Sequence, residues 1–190
     1  MNEPAITDMA ALVELLVEDV LPALPSRYAF VGHSMGALLA FEFACRLTEL
    51  GHAPPVHMFV AACSSPSWRT SASELHRLSD PELLAYLREL NGTPRELLEN
   101  DELMALVLPT LRADLTATET YVHAPGRRVT AGVSALHGRN DVSVSREAML
   151  AWREVVNGTF SYHEFRGDHF FVLQDEADVL DVICATVRER

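Results

Sequence analysis

Apolar residues fall along the chain in two kinds of block, one with the period of a helix and one nearly unbroken. Met9, Leu12, Val13, Leu16, Val17 and Val20 recur at helical spacing with Glu14, Glu18 and Asp19 between them. Residues 8 to 21 therefore predict a helix packed by one face and stopped by Pro22 and Pro25. The β-prone run Tyr28-Ala29-Phe30-Val31 precedes a second helical pattern in Leu38, Leu39, Phe41, Phe43, Ala44 and Leu47, closed by Gly51. Val56 to Ala62 is almost wholly apolar, as suits a strand buried on both faces of a parallel sheet.

From Ser64 to about Arg128 strand signals vanish. Ser79-Asp80-Pro81-Glu82 and Thr93-Pro94-Arg95-Glu96 each set proline at a first helical position, and Asp101 to about Tyr121 is long and leucine-rich. We read residues 64–128 as an insertion of about three helices, too short to bury much core of its own. Strand character returns at Val133 to His137 and at about Phe160 to Phe165. The first of these leads into Gly138-Arg139-Asn140-Asp141 and a helix from about Ser145 to Val156. The second leads into Gly167-Asp168-His169 and a last helix, with Asp175 as its cap and Val179, Leu180, Ile183 and Val187 inward. This order predicts one α/β domain over residues 1–190, a mainly parallel sheet with helices on both faces.

The junction of the first strand and second helix is Gly32-His33-Ser34-Met35-Gly36, a G-x-S-x-G pattern. Between a strand and a helix it reads as a nucleophile elbow, with Ser34 in a strained turn and a glycine on each side where a Cβ would collide with backbone. An α/β hydrolase carries Ser, then Asp or Glu, then His, on loops at the carboxyl ends of strands. Ser34, Asp141 and His169 stand in that order at predicted strand ends. In such a triad His169 takes the proton of Ser34, and Asp141 holds the imidazole tautomer. Asp141, beside Asn140, also suits an ordinary turn. Asp168 is the rival orienting acid, but neighbours in sequence rarely aim side chains at each other.

Composition narrows the chemistry. The 190 residues, 48% hydrophobic and 22% charged, suit a globular domain. A net charge of −12 argues against a nucleic-acid surface or an anionic membrane surface. All fifteen basic residues are arginine, which removes a phosphate-binding or Schiff-base lysine. Cys45, Cys63 and Cys184 lack metal or redox spacing and read as small buried residues in a reducing compartment. His57 and His137 fall on strands, and His52, His76, His123 and His163 lack a spaced partner; all read as structural, so neither a metal nor a cofactor is expected. With no leader pattern and no apolar stretch long enough to cross a bilayer, the expected location is cytoplasmic.

Gly32-His33-Ser34-Met35-Gly36-Ala37, Gly167-Asp168-His169-Phe170-Phe171 and Leu78-Ser79-Asp80-Pro81-Glu82-Leu83-Leu84 together resemble the type II thioesterases of nonribosomal peptide and polyketide synthases. The resemblance runs from about Glu3 to near the end of the chain. It implies an α/β-hydrolase fold and a stand-alone editing enzyme of antibiotic and related biosynthesis. Such an enzyme hydrolyses aberrant acyl groups from the phosphopantetheine arm of acyl- or peptidyl-carrier proteins. By motif, Ser34 is the nucleophile, His169 the base, Asp141 the orienting acid, and the helical insertion a lid.

The same resemblance implies several dozen further residues before Glu3, with early strands and a glycine-containing loop. One oxyanion donor is then the Met35 backbone N–H and the other belongs to that early loop. We expect the 190 residues to be a fragment or a start-site error, with a shortened protein as the alternative, and the strand at 28–31 to lie at an exposed edge. An esterase or acyltransferase would use the same triad. A carrier-protein-binding module with impaired catalysis is the reading from another class, with Arg127-Arg128 as one docking candidate.

Overall fold

A computed structural model of the chain describes residues 5–68, 74–90, 92 and 98–188. Two compact units emerge, one of Leu12–Arg69 with Val122–Arg190 and the other of Met1–Ala11 with Thr70–Tyr121. The first holds a parallel sheet of β1 (Ala29–His33), β2 (His57–Ala61), β3 (Gly132–Gly138) and β4 (Phe160–Phe165), in the spatial order β1-β2-β3-β4. Parallel neighbours need a crossover between them, and helices supply it. Among the described residues the α-helices are α1 (Met9–Asp19), α2 (Met35–Glu49), α3 (Asp80–Glu89), α4 (Asp101–Glu119), α5 (Arg146–Leu150), α6 (Phe171–Gln174) and α7 (Glu176–Arg188).

Every residue of β2 and β3 is buried, which suits their mostly apolar sequences, with His57, Ser134 and His137 as buried polar exceptions. Side chains alternate across the sheet. Ala29, Phe59, Ala61 and Leu136 share one face and pack with Phe171, Val179, Val182 and Ile183 of α6 and α7. Phe30, on the opposite face of β1, joins Phe43, Leu47 and Val13 of α2 and α1. Helices therefore cover both faces. At the edge, β1 leaves Val31 59% exposed.

Three local departures have physical causes. The helix expected to run to Val156 is α-helical only to Leu150 and continues as a 3₁₀ turn over Ala151–Val155. That tighter winding carries Trp152, fully buried, where its indole N–H donates to the Cys63 carbonyl at 2.7 Å. In α7 the inward residues are Val179, Val182 and Ile183, while Leu180 and Val187 face outward. The Asp175 carboxylate accepts from the Arg166 N–H at 3.0 Å, tying the loop after β4 to the start of α7, and its carbonyl receives the Val179 N–H. Cys184, expected inside, is exposed; Cys45 and Cys63 are buried.

In the second unit Ser79 and Glu82 form a reciprocal capping box at the start of α3, and Asn100 caps α4. Leu83, Leu87, Leu98, Met104 and Leu108 make its core. His76, without a spaced partner in sequence, has one in space: its Nδ1 lies 2.6 Å from Glu119 Oε2. Glu119 also accepts the N–H groups of Leu75 and His76, and Arg112 donates to the carbonyls of His76 and Leu78, so α4 holds the 75–78 segment by side chains alone. The helix start expected at Thr93-Pro94-Arg95-Glu96 lies outside the described residues.

Candidate active site

The site is assembled at the carboxyl ends of the strands, where loops leave a parallel sheet. β1 ends at His33, and α2 begins at Met35. Ser34, between them, has φ +53° and ψ −124°, a backbone state that costs an ordinary residue about 1–3 kcal/mol and persists only where its surroundings enforce it. Two neighbours do so: the Ser34 N–H donates to the Ala61 carbonyl at 2.9 Å, and the Ser34 carbonyl accepts from Ala37. Gly32 is needed because a Cβ there would strike the Gly36 carbonyl oxygen and lie 2.6 Å from Ala37 Cα. The same steric role expected of Gly36 is not found, since a Cβ there meets nothing within 4 Å.

Sequence-distant residues meet at Ser34. His169 Nε2 is 3.2 Å from Ser34 Oγ, and His169 Nδ1 is 3.0 Å from Asp141 Oδ2. A carboxylate only accepts, so Nδ1 carries the hydrogen and Nε2 is left with a lone pair toward the serine hydroxyl. Asp141 is fixed by its other oxygen, which accepts the N–H groups of Ser143 at 2.7 Å and Val144 at 3.1 Å. Burial by itself would raise the carboxyl's pKa, but the hydrogen bond and charge of His169 and the two backbone donors outweigh it and hold it below its ordinary value. Asp141 thus remains an anion although its side chain is fully buried.

Asp168 does not reach the imidazole. Its carboxylate accepts the Phe170 N–H and the Gln174 amide, while Gln174 accepts the Asp168 N–H, a closed set that shapes the loop. Met35 is the first residue of α2, so its N–H has no acceptor within the helix and is available to a developing negative charge. Arg127 is engaged with α2, its guanidinium 2.8 Å from Glu42 and 2.5 Å from Glu49, while Arg128 is exposed.

Two features of the site are not visible in motif spacing. His33 Nε2 lies 2.7 Å from the His169 carbonyl oxygen, with its ring against those of His169 and Phe170. His137, at the end of β3, bonds the Val144 carbonyl and the Tyr162 hydroxyl. The only sequence signal for either is an imidazole at a strand's carboxyl end.

A hydroxyl, an imidazole and a buried carboxylate in line can generate a nucleophile at neutral pH, transfer its proton and return it to a leaving group. The comparisons with known proteins bear on which bond is attacked. The thioesterase domain family matches residues 1–189. Gramicidin S biosynthesis protein GrsT of Aneurinibacillus migulanus is 33% identical over 186 residues, covering 98% of this chain and 73% of that protein. The type II thioesterase BorB, from the borrelidin biosynthetic cluster, superposes with a TM-score of 0.89 at 34% identity, covering 97% of this chain and 75% of BorB. ClbQ, from the colibactin nonribosomal peptide and polyketide pathway, superposes with a TM-score of 0.90 at 28% identity, covering 98% and 80%. No helix among the described residues is long and apolar enough to cross a membrane. With family, sequence and fold in agreement over nearly its whole length, the chain belongs to the thioesterase domain family and is an α/β hydrolase acting on thioesters.

Proposed function

We propose that the protein removes acyl groups from the phosphopantetheine arm of a carrier protein in nonribosomal peptide or polyketide biosynthesis, as a type II, editing thioesterase. One observation carries the reading: in a chain of this family, Ser34, His169 and Asp141 form a continuous hydrogen-bonded line. Ser34 Oγ attacks the thioester carbonyl as its proton passes to His169 Nε2. Asp141 stabilises the imidazolium, and the Met35 N–H donates to the oxyanion. The pantetheine thiol leaves readily because a thiol is fairly acidic, with a pKa of about 8.5. Water, deprotonated by His169, then releases the acid from the acyl-serine.

Turnover of an acyl-carrier protein, an acyl-pantetheine and an aryl ester of the same acyl group tests this directly. The thioesters should be preferred, the carrier-bound one most, and Ser34→Ala should abolish all three. A clear preference for the aryl ester would make the protein a general esterase. Carrier-protein binding without turnover, unchanged in Ser34→Ala, would make it a binding module.

A further inference from the structure

The nucleophile and the base stand on strands at opposite edges of the sheet, β1 and β4. Strand neighbours lie about 4.8 Å apart, so three steps separate these strands by roughly 14 Å. No ladder bond between them can set the distance from Ser34 to His169. The loop of residues 166–170 must reach back over the strand ends, and two hydrogen bonds join it to the turn after β1. One is the reacting contact between Ser34 and His169; the other runs from His33 to the His169 carbonyl oxygen at 2.7 Å.

We propose that His33 is a positioning residue that holds the main chain of His169 within reach of Ser34. The inference rests on the assignment of Ser34 and His169 above. A carbonyl only accepts, so His33 Nε2 bears the hydrogen. Because His33 immediately precedes Ser34, the donor belongs to the same rigid junction as the nucleophile, and the bond transfers the position of the elbow to the base. Ring contacts reinforce it: the His33 centroid lies 5.1 Å from that of His169 and 5.4 Å from that of Phe170.

The neutral form of His33 suits this task. A cation there would oppose the positive charge that His169 acquires during acylation. Burial lowers the pKa of His33, and the charge of His169 acts in the same direction, while the carbonyl bond and Asp141 pull the other way. The net shift is downward, in the direction that favours the uncharged ring.

His33→Gln and His33→Met compare side chains of similar length, of which only glutamine keeps an N–H donor. Each variant, with the parent and Ser34→Ala, is scored for the rate of Ser34 labelling by a fluorophosphonate and for kcat and KM on an acyl-pantetheine thioester, both normalised to the folded fraction by circular dichroism. His33→Met should lose about tenfold to a hundredfold in labelling rate and kcat with KM unchanged, the order expected when a reacting group is displaced by up to about 1 Å. His33→Gln should recover most of that loss. Parent-like rates in His33→Met, or equal losses in both variants, would overturn the inference and leave the site assignment standing. A parent that is not labelled at Ser34 would overturn both.

Discussion

His137 and Val144 close the loop of residues 137–144 end to end: the imidazole Nε2–H donates to the Val144 carbonyl at 2.9 Å while the Val144 N–H donates to Asp141. Val144 is thereby held on both sides, and the Asp141 carboxylate, bonded to His169, sits inside the closure. His137→Leu leaves the Val144 carbonyl and the Tyr162 hydroxyl without this partner. The expected cost is about 1–3 kcal/mol of stability. The slackened loop should also lower kcat by about tenfold to a hundredfold through displacement of Asp141. Urea unfolding and steady-state rates on the same preparation check both.

The depressed pKa of Asp141 makes a signed prediction. A carboxyl whose folded pKa lies below its unfolded value contributes stability that is fully present above the unfolded pKa and is lost as pH falls through the folded one. The ordinary value is 3.8, so the contribution should be intact at pH 5 and fade below that value. Urea midpoints of the parent and Asp141→Asn should differ at pH 5 and converge as the pH is lowered toward 2. A constant gap would show that the carboxylate's charge is not what is stabilised.

The two glycines of the elbow should respond oppositely. Gly32→Ala drives a methyl into the Gly36 carbonyl and the Ala37 backbone, and overpacking of this kind costs about 1–3 kcal/mol or more. Gly36→Ala meets no neighbour and lies in the first turn of α2, where alanine is favoured over glycine by up to about 1 kcal/mol, the value for a helix interior. Unfolding midpoints should therefore fall in the first and hold or rise in the second.

Thiol chemistry separates the three cysteines. Burial pushes the Cys45 thiol up to about 12, against the pull of Arg127, so it stays protonated at pH 8. Cys63 is buried and Cys184 exposed. Iodoacetamide at pH 8 should modify Cys184 in the folded protein, and the other two only after unfolding, as peptide mapping would show.

The sheet was legible in sequence because burial on both faces leaves an apolar run, clearest in Met58–Ala61 of β2. The elbow was legible because steric demand at Gly32 and the strand-to-helix junction are local. What escaped are pairings made by the fold. His76 with Glu119, Arg127 with Glu42 and Glu49, and His33 with the His169 carbonyl join positions far apart in the chain, which no periodicity records. Exposure at the end of α7 escaped for a related reason: Cys184 and Val187 read as apolar, yet with Leu180 they lie on the helix face turned away from Val179, Val182 and Ile183. The 3₁₀ turn at Ala151–Val155 follows from where Trp152 must go, which is a property of the core and not of the segment.

Toward the amino ends of the strands, away from Ser34, His57 bonds Ser134, and Ser134 bonds Ser161, each at 2.8 Å, a polar line tying β2, β3 and β4 together. Adjacent strands are rotated by about 20–25°, so the angle accumulated from β1 to β4 is roughly 60–75°. Because the serine rides on one outer strand and the imidazole on the other, a small change of coiling at each step adds up in the gap between them. The width of that gap is therefore a property of the whole sheet, and Ser134→Ala, which breaks both bonds of this buried line, should lower the melting temperature and slow the labelling of Ser34 together.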